Sequence, residues 1–149
     1  MTSSSILRSW QAELMEQRMR NVFISYSRSD RENVEHLVSA LRTANIVGWL
    51  DAADIAAGAS VSSAVRDALQ KASAVVFVLS PDALHNQWVQ FEIGAAEALG
   101  KKIIPVIVSG NRLEEQLPDI LKNWKVIDAR NRLQADVVRD IRLAIDAPI

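Results

Sequence analysis

The chain has 149 residues, enough for one domain with a hydrophobic core and too few for two ordinary domains. The net charge is -1, with 23% charged residues, which gives no electrostatic reason to expect binding to nucleic acid or an anionic membrane. The absence of cysteine excludes disulfides, thiolate metal sites and cysteine nucleophiles. No apolar run approaches the roughly 20 residues of a membrane span, and the beginning lacks a signal-peptide pattern, so we expect a cytoplasmic protein.

The beginning of the chain predicts a short amphipathic helix over residues 4–19, ahead of the first strand signal. Its apolar residues recur at helical spacing: Ile6, Leu7, Trp10 and Leu14. We therefore expect residues 1–19 to form an N-terminal helical extension and residues 20–149 to form the main domain.

The rest of the chain alternates predicted strands with predicted helices. Short β-branched or aromatic runs predict five strands, at 21–26, 46–50, 74–79, 103–108 and 125–129. The runs at 74–79 and 103–108 are apolar enough for a sheet that is covered on both faces. Five strands joined by helices predict an α/β, flavodoxin-like parallel sheet of order 2-1-3-4-5 with helices on both faces.

Amphipathic patterns predict the helices between these strands. Ser29 or Asp30 can cap a first helix, and Ser60 can cap a second. The third helix runs from residue 87 to Gly100, a C-terminal stop signal. A short helix at 117–124 and an amphipathic one at 133–145 complete the pattern.

Ligands of such sheets bind outside the carboxyl ends of the strands, at the switch point between the first and third strands. The loops at that edge hold most of the plausible ligand-facing polar groups: Ser25, Tyr26, Ser27, Arg28, Asp51, Asp54, Gly58 and Ser80. We therefore expect a pocket there.

Several common uses of this architecture lack their motifs. A phospho-receiver domain needs an acidic pair after the first strand and an aspartate ending the third, where Ser80 stands instead. No dinucleotide-binding glycine fingerprint, P-loop or nucleophile elbow is present. The two histidines, His36 and His85, form no metal-spaced cluster, and surface or capping roles are expected for them.

Glu92 is the misplaced charge of the third helix. At about 100° per residue, it falls within an apolar arc, while Gln90 and Glu97 lie together on the opposite side. The arc contains Phe91, Ala95, Trp88, Leu99, Ala96, Val89 and Ile93. Burying a carboxylate without a partner is costly, so Glu92 should be paired, protonated or lining a functional cavity.

Five stretches resemble, in order and spacing, those of a Toll/interleukin-1 receptor (TIR) domain over residues 20–145. They are "VFISYSRSD", "GWLDAADIAAGASV", "SAVVFVLSPDAL", "WVQFEIGAA" and "GKKIIPVIV". The resemblance implies the flavodoxin-like fold already argued from the pattern. TIR domains either act as homotypic assembly modules or cleave NAD+ between nicotinamide and ribose.

The catalytic class carries a W-x-x-x-E pattern on the helix after the third strand, matched here by Trp88 and Glu92. The resemblance implies that Glu92 is the catalytic acid, with NAD+ as substrate and neither cofactor nor metal. A carboxylate there could stabilise the oxocarbenium-like ribosyl cation or bind the ribose hydroxyls. Residues four apart on a helix are neighbours, so Trp88 would pack near the ribose or nicotinamide.

The resemblance also implies the residues that border the substrate: Ser25, Tyr26, Ser27, Arg28, Trp49, Asp51, Ser80 and Trp88. Arg28 is suited to the phosphates. The 51–59 loop corresponds to one that helps to build the site across two protomers, which implies an oligomeric active assembly. Some enzymatic members have a basic residue where Ser27 stands, and alanines follow Asp51, so the phosphate contacts and the docking of protomers are less well specified.

Two hypotheses remain open from the sequence. Glu92 can be structural, paired with Lys102, Arg28 or a backbone amide, in which case the protein is a TIR–TIR scaffold acting through its helices and the 51–59 loop. Alternatively, the protein is an NAD+ hydrolase or cyclase, such as a bacterial immune effector that depletes NAD+. Whether water or an adenine nitrogen captures the cation decides the product, and the sequence does not specify it.

Overall fold

The computed structural model describes residues 20–50 and 61–149, so the predicted N-terminal helix and the 51–59 loop lie outside the described residues. The described chain contains a five-stranded parallel sheet. Its strands are β1 (Arg20–Ser25), β2 (Ile46–Leu50), β3 (Ala74–Leu79), β4 (Ile103–Ile107) and β5 (Ile127–Asp128). Their order is β2-β1-β3-β4-β5, which confirms the predicted topology.

Helices connect successive strands, as the alternating pattern predicts. They are α1 (Arg31–Thr43), α2 (Val61–Lys71), α3 (Pro81–Leu84), α4 (Gln87–Ala98), α5 (Asp119–Lys122) and α6 (Gln134–Asp146). Short 3-10 turns lie at Arg28–Asp30 and Leu113–Gln116. None of the helices in the described ranges is long and apolar enough to cross a membrane.

The core lies on both faces of the sheet. Every residue of β3 and β4 is buried, as expected for central strands whose side chains alternate between two covered faces. Buried residues of α1 and α6 cover one face, including Leu37, Leu41 and Ile141. Buried residues of α2 and α4 cover the other, including Leu69 and Ile93. The α4 helix, which carries Glu92, therefore lies on the second face.

Local capping explains where α4 begins and ends. The Asn86 side chain accepts hydrogen bonds from the backbone N–H groups of Trp88 (2.9 Å) and Val89 (3.1 Å), satisfying two donors of the first turn. Gly100 adopts a φ of 66°, in the left-handed region that glycine enters at little cost. The predicted stop at Gly100 is confirmed.

One prediction about the helices is confirmed in position but not in its side-chain bond, and another is wrong. Asp30 occupies the N-cap position of α1 but makes no side-chain capping bond, because its carboxylate accepts a hydrogen bond from Ser80 instead. Phe91, predicted to share the buried arc of α4, is 48% exposed. The residues of α4 that face the core are Val89, Glu92, Ile93 and Ala96, so the helix is rotated relative to the predicted arc.

Candidate functional site

Glu92 is fully buried and lies against the carboxyl end of β1. The Ser25 hydroxyl donates a hydrogen bond of 2.8 Å to Oε1 of Glu92, and both residues have no exposed surface. The neighbours of Glu92 on the buried face of its helix are the apolar Val89, Ile93 and Ala96. Glu92 therefore accepts a hydrogen bond from a neutral hydroxyl and has apolar neighbours on its own helix.

The alternation of side chains along β1 explains how Ser25 reaches Glu92. Val22 and Ile24 pack on the α1/α6 face, while Phe23 packs on the α2/α4 face. Because successive strand residues point to opposite faces, Ser25 follows Phe23 toward α4. Ser25 and Glu92, 67 positions apart in the sequence, are thus brought together by the pairing of β1 with β3 and by the helix that follows β3.

Lys102 is not positioned to neutralise Glu92, so that predicted structural partner is wrong. Lys102 immediately precedes β4, at the amino ends of the strands, whereas Ser25 and Glu92 lie at the carboxyl ends. Its ammonium group donates to the backbone oxygens of Ala144 (2.9 Å), Ile145 (2.8 Å) and Ala147 at the end of α6. Cations there interact favourably with the last helical carbonyls, which accounts for Lys102 without Glu92.

A second buried hydrogen bond joins the loops after β1 and β3. The Ser80 hydroxyl donates to Oδ2 of Asp30 at 2.5 Å, and the two residues are only 3% and 8% exposed. Ser80 Oγ also accepts from the backbone N–H of Ala83 at 3.2 Å, which caps α3. Ser80 was predicted to face the substrate, but in the structure its hydroxyl group joins the loops after β1 and β3.

The same two loops are joined a second time by exposed residues. Ser29 Oγ donates to Oδ2 of Asp82 at 2.9 Å, and Ser27 Oγ lies 3.2 Å from Ser29 Oγ. Sequence reasoning assigned neither Asp30 nor Asp82 to the site. The signal that could have found them is their position, one acidic residue shortly after each of two strands that meet at the same sheet edge.

Aromatic side chains lie on the face that carries Glu92. The rings of Trp88 and Phe91 are stacked, with centroids 5.3 Å apart and planes inclined by 22°. Trp88 is half-buried and packs against the α2/α4 core. Trp49 is 47% exposed and pairs in register with Phe23, which directs it to the same face of the sheet. Flat aromatic surfaces at this edge suit stacking against a planar ring.

The structure separates the remaining predicted substrate residues. Ser27 is buried in the loop after β1, and Arg28 is exposed in the 3-10 turn that precedes α1. Tyr26 is buried in the core cluster of α1 and α6, on the face opposite α4. Asp51 lies outside the described residues. Ser25 and Glu92 are thus in direct contact, whereas Tyr26 is directed away from them.

A different acidic cluster lies near the ends of β4 and β5. Arg130 donates to Oδ1 of Asp128 (2.8 Å), Oε2 of Glu114 (2.9 Å) and the backbone oxygen of Gly110 (2.8 Å). The hydrogen bond from the Arg130 side chain holds the pKa of Asp128 below its usual value, and the reciprocal bond raises the pKa of Arg130. The pKa of Glu114 is lowered first by a backbone hydrogen bond and then by Arg130. Both carboxylates are half exposed.

The strand order β2-β1-β3-β4-β5 is that of a flavodoxin-like fold. The family model described as the TIR domain matches residues 22–142, and the chain belongs to that family. No curated protein matches the sequence at a significant level.

Three solved structures illustrate the range of similar folds. The TIR domain of the Toll-related receptor TRR-2 from Hydra magnipapillata is 23% identical, with a TM-score of 0.71 over 85% of this chain and 98% of that one. The TIR domains of the activated Roq1 resistosome are 21% identical, with a TM-score of 0.65 over 85% and 99%. The CMP N-glycosidase BcmB of Clostridium botulinum is 16% identical, with a TM-score of 0.55 over 83% and 99%. At these identities the likeness concerns the fold alone.

Proposed function

We propose that this TIR domain cleaves NAD+ between nicotinamide and ribose, with Glu92 as the catalytic carboxylate. The observation that carries the proposal is the full burial of Glu92 against the Ser25 hydroxyl, at the switch point where sheets of this topology bind ligands. Full burial of a carboxylate beside apolar side chains is costly to the fold. In an active site, the free-energy cost of burying a carboxylate can serve catalysis.

The chemistry of the reaction suits this residue. The bond between ribose C1′ and the nicotinamide nitrogen breaks, its electron pair leaves with nicotinamide, and positive charge develops on the ribosyl ring. A carboxylate in a dry, apolar setting stabilises that charge far more strongly than it would in water. In hydrolysis, water adds to C1′ and releases a proton, which yields ADP-ribose. In cyclisation, an adenine nitrogen takes the place of the water.

The neighbouring side chains suit the rest of the substrate. Ser25 orients the Glu92 carboxylate through its hydrogen bond of 2.8 Å. The stacked Trp88 and Phe91 rings offer a planar surface near the ribose or nicotinamide. Arg28, exposed at the mouth of the β1 loop, suits the pyrophosphate. In this proposal the 51–59 loop and the helices engage a second TIR protomer, and NAD+ is met in the cytoplasm.

A similar fold named as a CMP N-glycosidase supports chemistry at an N-glycosidic bond in a nucleotide. CMP is therefore the natural comparison substrate. Contacts from Trp88, Phe91 and Arg28 as well as from Glu92 would exceed what a mononucleotide needs, so the proposal specifies NAD+ as the better substrate.

The test measures nicotinamide release from NAD+ by concentrated or bead-clustered protein. Glu92→Ala should abolish release, while Glu97→Ala, an exposed glutamate of the same helix, should leave it unchanged. Circular dichroism on each variant establishes that the fold is retained. Cytosine release from CMP in place of nicotinamide release would reassign the substrate to a mononucleotide. If clustered wild type cleaves neither nucleotide, the proposal fails and the non-catalytic TIR–TIR scaffold becomes the leading account.

A further inference from the structure

A long apolar groove lies between α2 and α4, on the face of the sheet that carries Glu92. Its volume is about 720 Å³, and its α2 side includes the buried Val65 and Leu69. On α4 the lining residues include the exposed Phe91 and the small Gly94 and Ala98. A Cβ added at Gly94 would meet no atom within 4 Å, so the α4 wall leaves room for a partner. Small residues of this kind let another helix approach closely.

The opposite face of the sheet has a smaller opening, a pocket of about 210 Å³ between α1 and α6 that is lined in part by Val34, Leu37 and Val137. There α1 and α6 pack directly against each other over the core that contains Leu37 and Ile141. At the amino end of β1, Arg20 Nε donates to Oδ1 of Asp146 at 2.6 Å, which ties the end of α6 to the sheet. The two faces therefore differ in degree, because the α2/α4 groove, at about 720 Å³, is the larger of these two openings.

The first described strand begins beside the end of this groove that lies at the C-terminal ends of α2 and α4. The backbone oxygen of Asn21 accepts a hydrogen bond of 2.7 Å from the N–H of Ser73, two residues beyond the end of α2. Leu69 and Leu99, which line the groove, lie at the same end of their helices. Asn21 also precedes Phe23 by two residues and so shares its face of the sheet, the α2/α4 face. The first described residues of β1 thus lie next to that end of the groove.

We infer that residues 4–19 form an amphipathic helix that occupies the groove between α2 and α4. Sixteen helical residues span about 24 Å, longer than the roughly two turns of α2 and three turns of α4 that line the groove. The apolar positions Ile6, Leu7, Trp10 and Leu14 fall on one face and supply the side chains that the groove lacks. Glu13 borders that face, and the exposed Arg66 on the rim of the groove offers it an opposite charge.

This occupant has a direct connection to the candidate site. Phe91 lines the upper part of the groove and stacks on Trp88, which lies one turn before Glu92. A helix in the groove therefore covers the outer side of the aromatic pair while Glu92 faces the core. The inference itself concerns packing, and it stands whether or not the site cleaves NAD+.

The absence of native cysteine makes single-cysteine labelling a clean test. In the full chain, Ala98→Cys reports on the groove, and Ser39→Cys, on the exposed side of α1, is the matched control. With each rate normalised to that of the denatured chain, the groove cysteine should react about tenfold more slowly than the control, a protection set by local opening. Equal rates at the two positions would overturn the inference.

Substitutions in the N-terminal segment identify the occupant. Leu7→Asp with Leu14→Asp places two charges on the apolar face and should raise labelling of the groove cysteine about tenfold, equivalent to about 1.4 kcal/mol. Ser5→Asp with Ala12→Asp adds the same charges, seven residues apart, on the opposite face and should change nothing.

The remaining outcomes of the labelling experiment also decide the matter. Protection that survives Leu7→Asp with Leu14→Asp would overturn the inference. Protection that disappears on dilution would overturn it in favour of a second copy of the chain. Unchanged labelling at Ser39→Cys and an unchanged circular dichroism spectrum establish that the domain itself stays folded in each variant.

Discussion

The two groups of acidic side chains at the carboxyl edge of the sheet are held in opposite ways. Asp128 and Glu114 are half exposed and share the guanidinium of Arg130. The pKa of Asp128 is lowered first by the Arg130 side chain, and the pKa of Glu114 is lowered first by a backbone hydrogen bond and then by Arg130. Glu92 is fully buried and accepts its hydrogen bond from the neutral Ser25 hydroxyl. The first arrangement stabilises carboxylates at little cost, because water and a cation solvate them. The second places a carboxylate fully out of water, which is costly to the fold and is the basis for proposing Glu92 as the catalytic residue.

Moving the Glu92 carboxylate should have a large effect on the rate of nicotinamide release. Glu92→Asp keeps the charge and withdraws it by one methylene from the position set by Ser25. Since a displacement of about 1 Å can cost a hundredfold in rate, nicotinamide release should fall about 100-fold. Glu97→Asp, the same change on the exposed face of α4, should leave the rate unaltered. Equal rates for the two variants would place the reaction elsewhere.

The Ser25 hydroxyl should have a smaller effect. Ser25→Ala removes the donor of a charge-assisted hydrogen bond, worth about 1.5 kcal/mol, and should lower nicotinamide release about tenfold. The control is Ser73→Ala, an exposed serine that precedes β3. An undiminished rate for Ser25→Ala, with the carboxylate otherwise required, would mean that Ser25 does not orient Glu92.

Substitution of Ser80 tests how much the link between the loops after β1 and β3 contributes to stability. Ser80→Ala leaves the buried Asp30 without its hydroxyl donor and removes the cap of α3. The free energy of unfolding should fall by about 1–3 kcal/mol, measured by urea denaturation. Ser109→Ala, an exposed serine after β4, should change stability by less than about 0.5 kcal/mol. A stability unchanged by Ser80→Ala would show that the link between the two loops is dispensable.

Arg130 should give the smallest effect, and one that depends on pH. Because the folded-state pKa values of Asp128 and Glu114 are lowered, their contribution to stability is present above their ordinary pKa values and is lost as pH falls. Arg130→Met should therefore be less stable than wild type at pH 7, and the difference should shrink below about pH 5. Nicotinamide release at pH 7 should be unchanged. If the difference in stability between the variant and wild type does not change with pH, the ion pairs are not its cause.

The sequence sufficed for the sheet, since each strand is a short run rich in β-branched or aromatic residues and each crossover is a periodic helix. The position of Glu92 on a buried face also followed from helical periodicity. The rotation of α4 did not, because the groove that leaves Phe91 exposed is created by the separation of α2 from α4. The side-chain hydrogen bonds could not be predicted from local sequence, because Ser25–Glu92 and Asp30–Ser80 join residues 67 and 50 positions apart. Tyr26 was placed at the site by resemblance, yet strand alternation turns it toward α1 and α6.

The most direct test of the central claim is a paired measurement on Glu92→Gln, an isosteric change that removes only the charge. One preparation is used for urea unfolding and for nicotinamide release. If Glu92 is retained for chemistry, release should fall by at least about a thousandfold, while the free energy of unfolding is equal to or above that of wild type, since burying a neutral amide avoids the desolvation of a carboxylate. A loss of several kcal/mol of stability with release retained would contradict the account and make Glu92 a structural residue.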